Sequence, residues 1–340
     1  MNLSQHQAAV QVDEKPFVSV IIPCYNEEKT IPGLLVSLAQ QGYPLDRLEV
    51  IIADGRSEDG TRQKIAEYQA KNPQLQVHVI DNPNRAIPSA LNLAVQHANG
   101  SIILRLDAHC VPAAGYIERS VQGLVQGKGQ NVGGLWKIKP GADTWIARSI
   151  AASASNQLGV GDARYRFSES AGEVDTVPFG AFWKGYLEEL GGYNEGLLTN
   201  EDYELNTRIR NRGDAVWFDP AIRSTYFARP NLKALARQYW RYGFWKYKML
   251  KTYPASLRLR QALPPLFVLG WMVLVLAAAF SNLFRVLLAI MVSLYILILV
   301  IASLPAGIRE RDPSFLVGVP MAIATMHFSR GAGFLWSLIK

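Results

Sequence analysis

Cysteine is nearly missing from this 340-residue chain, which contains only Cys24 and Cys110. Two scattered thiols cannot form a disulfide framework, so the small stapled secreted scaffolds are excluded and a reducing compartment is expected. The start, MNLSQHQAAVQVDEKP, has neither a basic cluster nor an apolar run, so no signal peptide is expected there. No internal repeat or low-complexity tract appears. The glycine-rich 127–134 stretch GKGQNVGG lacks a GK[ST] ending and a preceding buried strand, and reads as a turn rather than a phosphate loop.

Two further absences divide the chain. Acidic residues are missing from 221–260, which holds ten Lys or Arg, and this stretch concentrates the net charge of +7. Charge of either sign then nearly vanishes from about residue 263. Apolar stretches 263–280 and 286–304 are each about 27–29 Å long as helices, close to the ~30 Å thickness of a bilayer core. The linker carrying Asn282 and Arg285 is short enough to make a hairpin. Arg258 and Arg260 then share one side with Arg309 and Arg311, and the positive-inside rule makes that side the cytoplasm. A multi-pass protein of the inner (plasma) membrane, with its large domain cytoplasmic, is expected. The 315–328 stretch is short for a span and is followed by Arg330, so it reads as re-entrant or interfacial, with a third crossing over 315–338 as the alternative. Tyr239, Trp240, Tyr242, Phe244, Trp245 and Tyr247 interleave the basic stretch, a pattern that suits anionic lipid head groups better than nucleic acid.

In the soluble part, β-branched runs at 17–23, 49–53, 76–80 and 101–106 alternate with helix-like segments at 30–40, 61–71 and 88–98. That alternation predicts an α/β fold with a mostly parallel, Rossmann-like sheet covered on both faces. Ligands of such sheets bind beyond the carboxyl ends of the strands. The clusters CYNEE, DGRSEDGT, DNPNRA and DAH all fall there.

Four groups of residues could carry chemistry. Asp107 and His109, two apart on an extended chain, would face one side and hold a cation together; oxygen plus imidazole suits Mn²⁺, and Mg²⁺ less well. Their bland reading is a turn carboxylate and a surface histidine. Asp54 is either a turn residue or a contact to a nucleotide base or ribose, and Asp59 reads as an N-cap. In LLTNEDYELNTRIRNRG, Thr199 and Asp202 stand at capping-box spacing, and Gly213 closes the helix. Capping fully explains Asp202, yet a general base also needs a fixed carboxylate, so both readings stand. Gln238, Arg241 and Tyr242 share one helix face, as membrane-surface anchors or as ligand contacts.

Taken in order, VSVIIPCYNEE, ADGRSEDGT, NRAIPSALNLA, LRLDAH, VPFGAF, NEDYELNTRIRNRG and QYWRY resemble the family 2 glycosyltransferases, which are inverting enzymes of the GT-A nucleotide-diphospho-sugar transferase fold. The subgroup it most resembles is the membrane-bound enzymes of succinoglycan-type exopolysaccharide synthesis. The resemblance implies that Pro23, Tyr25, Glu27 and Asp54 line the uridine pocket, with Asp107 also on the donor side. It implies that Asp107 and His109 hold a divalent metal, and that Asp202 is the catalytic base. Gln238, Arg241 and Tyr242 match the QxxRW motif and would meet the diphosphate and acceptor; Phe179 and Gly180 would shape the acceptor side. Two departures stand out. The usual DxD is D-x-H here, and the motif's tryptophan is Tyr242, which speaks against a processive polymerase.

The expected organisation is therefore a tail at 1–16, a cytosolic GT-A domain at 17–230, a basic aromatic segment at 231–262 and a membrane region at 263–340. The expected activity is transfer of a sugar from a UDP-sugar, UDP-glucose or a relative, to a polyprenyl diphosphate-linked saccharide. Its competitors are a polyprenyl-phosphate sugar transferase, a processive synthase and a non-catalytic scaffold binding nucleotide or lipid.

Overall fold

The computed structural model describes residues 15–340, so most of the expected tail lies outside the described residues. The chain divides into two compact units.

The first unit comprises residues up to Gly134, Ser170–Glu195 and Arg208–Ser224. Its β-branched runs form β1 (Val18–Cys24), β2 (Leu48–Asp54), β3 (Gln76–Asp81) and β4 (Ile102–Arg105), all parallel, in the order β3-β2-β1-β4. Helices α1 (Ile31–Ala39), α2 (Thr61–Lys71) and α3 (Ile87–His97) connect them, as the alternation predicts. Every residue of β2 is buried, as expected of a central strand covered on both faces.

Beyond β4 the sheet changes character. It continues through β8 (Ala181–Trp183), β6 (Asn131–Lys139), β9 (Val216–Phe227) and the two-residue β5 (Val111–Pro112), with β7 (Gly172–Glu173) on β9. Strand β8 runs antiparallel to both β4 and β6, so the sheet is mixed. Periodicity did not reveal β5, β7 and β8, because strands of two or three residues leave no readable alternation. Helix α4 (Tyr116–Val125) buries Tyr116, Ile117, Ser120, Val121 and Leu124 along one face, an i, i+4 stripe.

The second unit comprises Leu135–Glu169, Gly196–Thr207 and Thr225–Lys340. It contains α5 (Trp145–Ser153), α6 (Gln157–Val160), the start of α8 (Glu201–Asn211), α9 (Leu232–Thr252), α10 (Leu259–Ala278), α11 (Asn282–Glu310) and α12 (Phe315–Leu338). Helix α12 lies along α9 and also touches α5, α10 and α11. Glycines permit the approach: a Cβ on Gly243 of α9 would sit 2.0 Å from the Arg330 carbonyl, and one on Gly333 of α12 would sit 2.2 Å from the Trp240 carbonyl. The 315–328 stretch, expected to be re-entrant or interfacial with a third crossing over 315–338 as the alternative, is part of one helix of 24 residues that continues past Arg330 to Leu338 and buries a face against its neighbours.

Helices α10 and α11 have mean hydropathies of 1.9 and 2.9 over their most apolar windows and are long enough to cross a bilayer. Only 22% and 11% of those windows are buried, and Leu266, Leu276 and Phe280 are 64%, 66% and 83% exposed.

Candidate active site

The parallel register of the first unit sets the loops side by side. Cys24 pairs with Asp54, and Asp54 with Asp81, so the chain leaves β1, β2 and β3 at one level. Each following loop then makes a left-handed turn on a non-glycine residue, Asn26, Arg56 and Arg85, with φ of 55°, 58° and 53°. Such conformations persist only where surrounding bonds enforce them. Here the enforcing bonds run between the first two loops. The Asn26 N–H donates to Ser57 Oγ at 2.8 Å, and the Glu58 N–H to Asn26 Oδ1 at 2.8 Å. Glu28 accepts from the Gly60 N–H at 2.7 Å, and its own N–H donates to Asp59 at 3.2 Å. Asp59 was expected to cap α2, but the N-cap position is Gly60; Asp59 sits one residue earlier and takes the Thr61 N–H at 3.0 Å.

Tyr25 stands 42% exposed at the end of β1, with the Arg85 guanidinium 5.3 Å from its ring centre. Pro23, two residues earlier in β1, is half-buried. Asp54 is fully buried, and its carboxylate is engaged by the Ser57 N–H at 3.1 Å, the Ser57 hydroxyl at 2.5 Å and Arg62. Arg62 also pairs with Asp81, which is held as an anion below the usual carboxylate range by that contact. The sequence reading missed Arg62 and Arg85, since a basic residue in a helix's first turn or in a loop carries no distinguishing signal.

Asp107 and His109 were expected on an extended chain. The structure corrects this: β4 stops at Arg105, and residues 107–110 form a tight turn closed by the Cys110 N–H on the Asp107 carbonyl at 3.0 Å. Each side chain is oriented separately. Asp107 Oδ1 lies 3.3 Å from the buried Arg105, and His109 Nδ1 lies 3.0 Å from Glu27 Oε1. Glu27 was read as a lining residue of the nucleotide pocket, yet its other oxygen takes the Thr30 hydroxyl, and its N–H donates to Thr61 Oγ1 at 2.8 Å. An imidazole that gives Nδ1–H to a carboxylate keeps its lone pair on Nε2, the arrangement that orients metal-binding histidines. The donor set therefore fits a divalent cation with open coordination positions. Among the described residues, no group of three or more His, Cys, Asp or Glu is gathered around one point.

Phe179 and Gly180 precede β8. Phe179 is buried at φ 62°, a strained conformation for a large side chain. Gly180 is at φ 107°, and a Cβ there would meet Asn131 Oδ1 at 2.2 Å. Its carbonyl accepts the Arg105 N–H at 3.0 Å, fastening this bend to the end of β4.

In the second unit, α8 begins at Glu201, so Thr199 does not cap it; Asn200, at φ 70°, makes the entering turn. Asp202 lies in the first turn beside buried Glu201 and Glu204, and accepts the Tyr203 N–H at 2.7 Å. Arg241 of α9 donates to Thr199 Oγ1 at 3.1 Å and to the Leu198 carbonyl at 3.3 Å, and so fixes the loop into α8. Gln238 and Tyr242 share a face as expected: the Gln238 amide donates to Tyr242 Oη at 2.9 Å and to Tyr226 Oη at 3.1 Å. Burial pushes the Tyr242 hydroxyl well above the usual range, so it stays a neutral phenol. Tyr226 in turn stacks on Trp136 at 4.1 Å.

Comparison with known proteins matches this architecture. A mannosyltransferase of Pyrobaculum calidifontis, solved with GDP-Man and Mn²⁺, superposes with a TM-score of 0.67 over 96% of this chain and 90% of its own at 22% identity; the shared fold is GT-A. The succinoglycan biosynthesis protein ExoA of Rhizobium meliloti is 31% identical over 72% of this chain and 73% of its own length. A dolichyl N-acetyl-alpha-D-glucosaminyl phosphate 3-beta-D-2,3-diacetamido-2,3-dideoxy-beta-D-glucuronosyltransferase of Methanococcus voltae is 25% identical over 95% of this chain and 98% of its own. The model of glycosyl transferase family 2 matches residues 19–191. With the strand-end loops, the D-x-H turn and these relatives in agreement, the chain belongs to glycosyl transferase family 2.

Proposed function

We propose that this enzyme is a membrane-held inverting transferase that moves a hexose from a UDP-sugar, UDP-glucose or a relative, to a hydroxyl of a polyprenyl diphosphate-linked saccharide in cell-surface glycan synthesis. The observation that carries the reading is the His109–Glu27 contact at 3.0 Å near Asp107, which supports a cation site at the end of β4. The relatives named for succinoglycan synthesis and for a dolichyl-phosphate-linked acceptor support the acceptor class.

In this reading the exposed Tyr25 ring stacks on the base, and Arg85 supplies a cation over the same face. Asp54 holds Ser57 and Arg62 in place, so the loop that borders the base is formed before the donor arrives. Asp107 and His109 hold Mn²⁺ or Mg²⁺, which, when bound, neutralises the charge that grows on the departing diphosphate. Asp202 takes the proton of the acceptor hydroxyl as the oxygen attacks the anomeric carbon opposite the leaving group, and the configuration inverts. Arg241 keeps the loop before Asp202 in one geometry, and Gln238 and Tyr242 present an amide and a neutral phenol to the acceptor or diphosphate. Phe179 and Gly180 border the acceptor. Helices α10 and α11 span the inner membrane, with the catalytic part in the cytoplasm.

The test is nucleotide release from a panel of UDP- and GDP-sugars, using enzyme in membranes with Mn²⁺ and a lipid extract. A single UDP-sugar is expected to give turnover that Asp202→Asn abolishes. Equal release by wild type and mutant on every sugar overturns the proposal.

A further inference from the structure

The second unit contains two arginines that the transfer mechanism does not use. Arg166 is only 8% exposed, and its guanidinium lies 5.0 Å from the Trp136 ring and 5.2 Å from the Tyr165 ring. Tyr226 stacks on the same Trp136, and Tyr239 and Tyr242 pack in one cluster with Tyr165. It has five N–H donors, and among the described residues its one hydrogen bond is from Nη1 to the Ala154 carbonyl at 3.2 Å. No carboxylate faces it there.

Arg330, half-buried on α12, lies one turn after Met326, which packs in one cluster with Tyr239, Tyr165 and Tyr242, and it has neither an ion pair nor a hydrogen bond among the described residues. Its position is fixed, because its carbonyl lies against Gly243 and the next residue, Gly331, lies against the Pro264 carbonyl of α10. Buried cations without an anion are costly, and proteins keep them where an anion arrives from outside. Gln238 and the neutral hydroxyls of Tyr226 and Tyr242 add polar groups to the same cluster.

We propose that Arg166 and Arg330 form a phosphate site for a lipid headgroup. The lipid character follows from the elements that build the site. Arg330 sits on the helix packed along α9 and against α10 and α11, and Arg258 and Arg260 mark where the chain enters α10. The rings around Arg166 exclude water and strengthen its attraction for an anion. The proposal rests on the glycosyltransferase reading only in naming the ligand: the phosphate is that of the isoprenyl acceptor, and a bilayer phospholipid is the other source of the same chemistry.

The experiment uses full-length enzyme in nanodiscs of neutral phosphatidylcholine and measures binding of farnesyl diphosphate, with farnesol, inorganic diphosphate and UDP in parallel. Farnesyl diphosphate is expected to bind at least tenfold more tightly than farnesol or inorganic diphosphate. Arg330→Gln and Arg166→Met are each expected to weaken it tenfold or more and to leave farnesol unchanged, with Arg166→Lys recovering part of the affinity. UDP affinity and thermal melting of the Arg330→Gln variant are expected to match wild type, which separates loss of the site from loss of the fold. If phosphatidylglycerol in the disc abolishes farnesyl diphosphate binding in wild type, the phosphate site stands and its occupant is bilayer lipid. Unchanged farnesyl diphosphate affinity in both variants overturns the site. Failure of UDP to bind wild type, with farnesyl diphosphate still discriminated, overturns the donor reading alone.

Discussion

At the scale of single residues, the assignment turns on carboxylates whose neighbours separate their roles. Asp202→Asn keeps the size and the contact to the Tyr203 N–H but cannot take a proton. Its kcat is expected to fall by about 10²–10⁴ with donor affinity intact, measured by UDP release and by UDP calorimetry. Glu27→Gln acts at one remove. It weakens the group that orients His109, so Mn²⁺ affinity is expected to drop roughly 10–100-fold by Mn²⁺ electron paramagnetic resonance in the presence of UDP. The sequence offered Asp107 and His109 as candidates because carboxylate and imidazole at the edge of an apolar run are unusual, and Asp202 because it stands in the first turn of a helix. The work of Glu27 was not, since its partner lies 82 residues away and nothing local marks the pairing. The engagement of Asp54 by Arg62 was hidden for the same reason: a helix-start arginine becomes informative only when β2 and α2 are placed.

At the scale of elements, the strands and helices of the parallel half came straight from their apolar periods, whereas β5, β7 and β8, at two or three residues, lie below the length at which any period exists. Their positions come from tertiary bonds such as Arg105 N–H to the Gly180 carbonyl. Buried polar groups inside the parallel half give it an acid limit. Burial raises the pKa of Glu49 in β2, but hydrogen bonds from Ser19 and Asn99, with His78 nearby, outweigh this and hold it below its ordinary value of 4.5. A depressed carboxylate stabilises the fold fully above that value, and the contribution is lost as pH falls through the lower folded pKa. Glu49→Gln is expected to cost about 1–3 kcal/mol at pH 7 and to flatten the acid side of the stability profile, read by denaturant titration at several pH values. In the helical unit the element with least room for change is the α9–α12 crossing. Gly243→Leu forces a side chain into the Arg330 carbonyl, and a loss of about 3 kcal/mol or more, seen as a lower melting temperature in detergent, is expected.

At the scale of the whole molecule, the sequence showed two apolar stretches and a basic approach to them, and α10 and α11 are the corresponding helices. In the proposed orientation, which puts the catalytic part in the cytoplasm, the turn around Ser281 faces the other side. Ser281→Cys is expected to react with a membrane-impermeant maleimide added to intact cells. The native thiols do not compete, because Cys24 and Cys110 are buried and burial pushes both thiols far up. Labelling only after lysis would reverse the orientation. What composition could not show is that α12 belongs to the helical unit: its pattern mixes glycine, histidine and arginine because it faces other helices rather than lipid along much of its length. Removing residues 263–340 is therefore expected to give an inactive chain with α9 open to proteolysis, not a soluble enzyme.

The place of α12 in the chain also sets the order of the protein's biogenesis. Helix α9 is made some sixty residues before its main packing partner, α12. Parallel-sheet loops and the D-x-H turn can settle while the ribosome is still working. In the proposed reading, the helical unit that carries Asp202 and Arg241 closes only after α10 and α11 have been inserted and α12 has come back to α9, so catalytic competence would wait on membrane insertion.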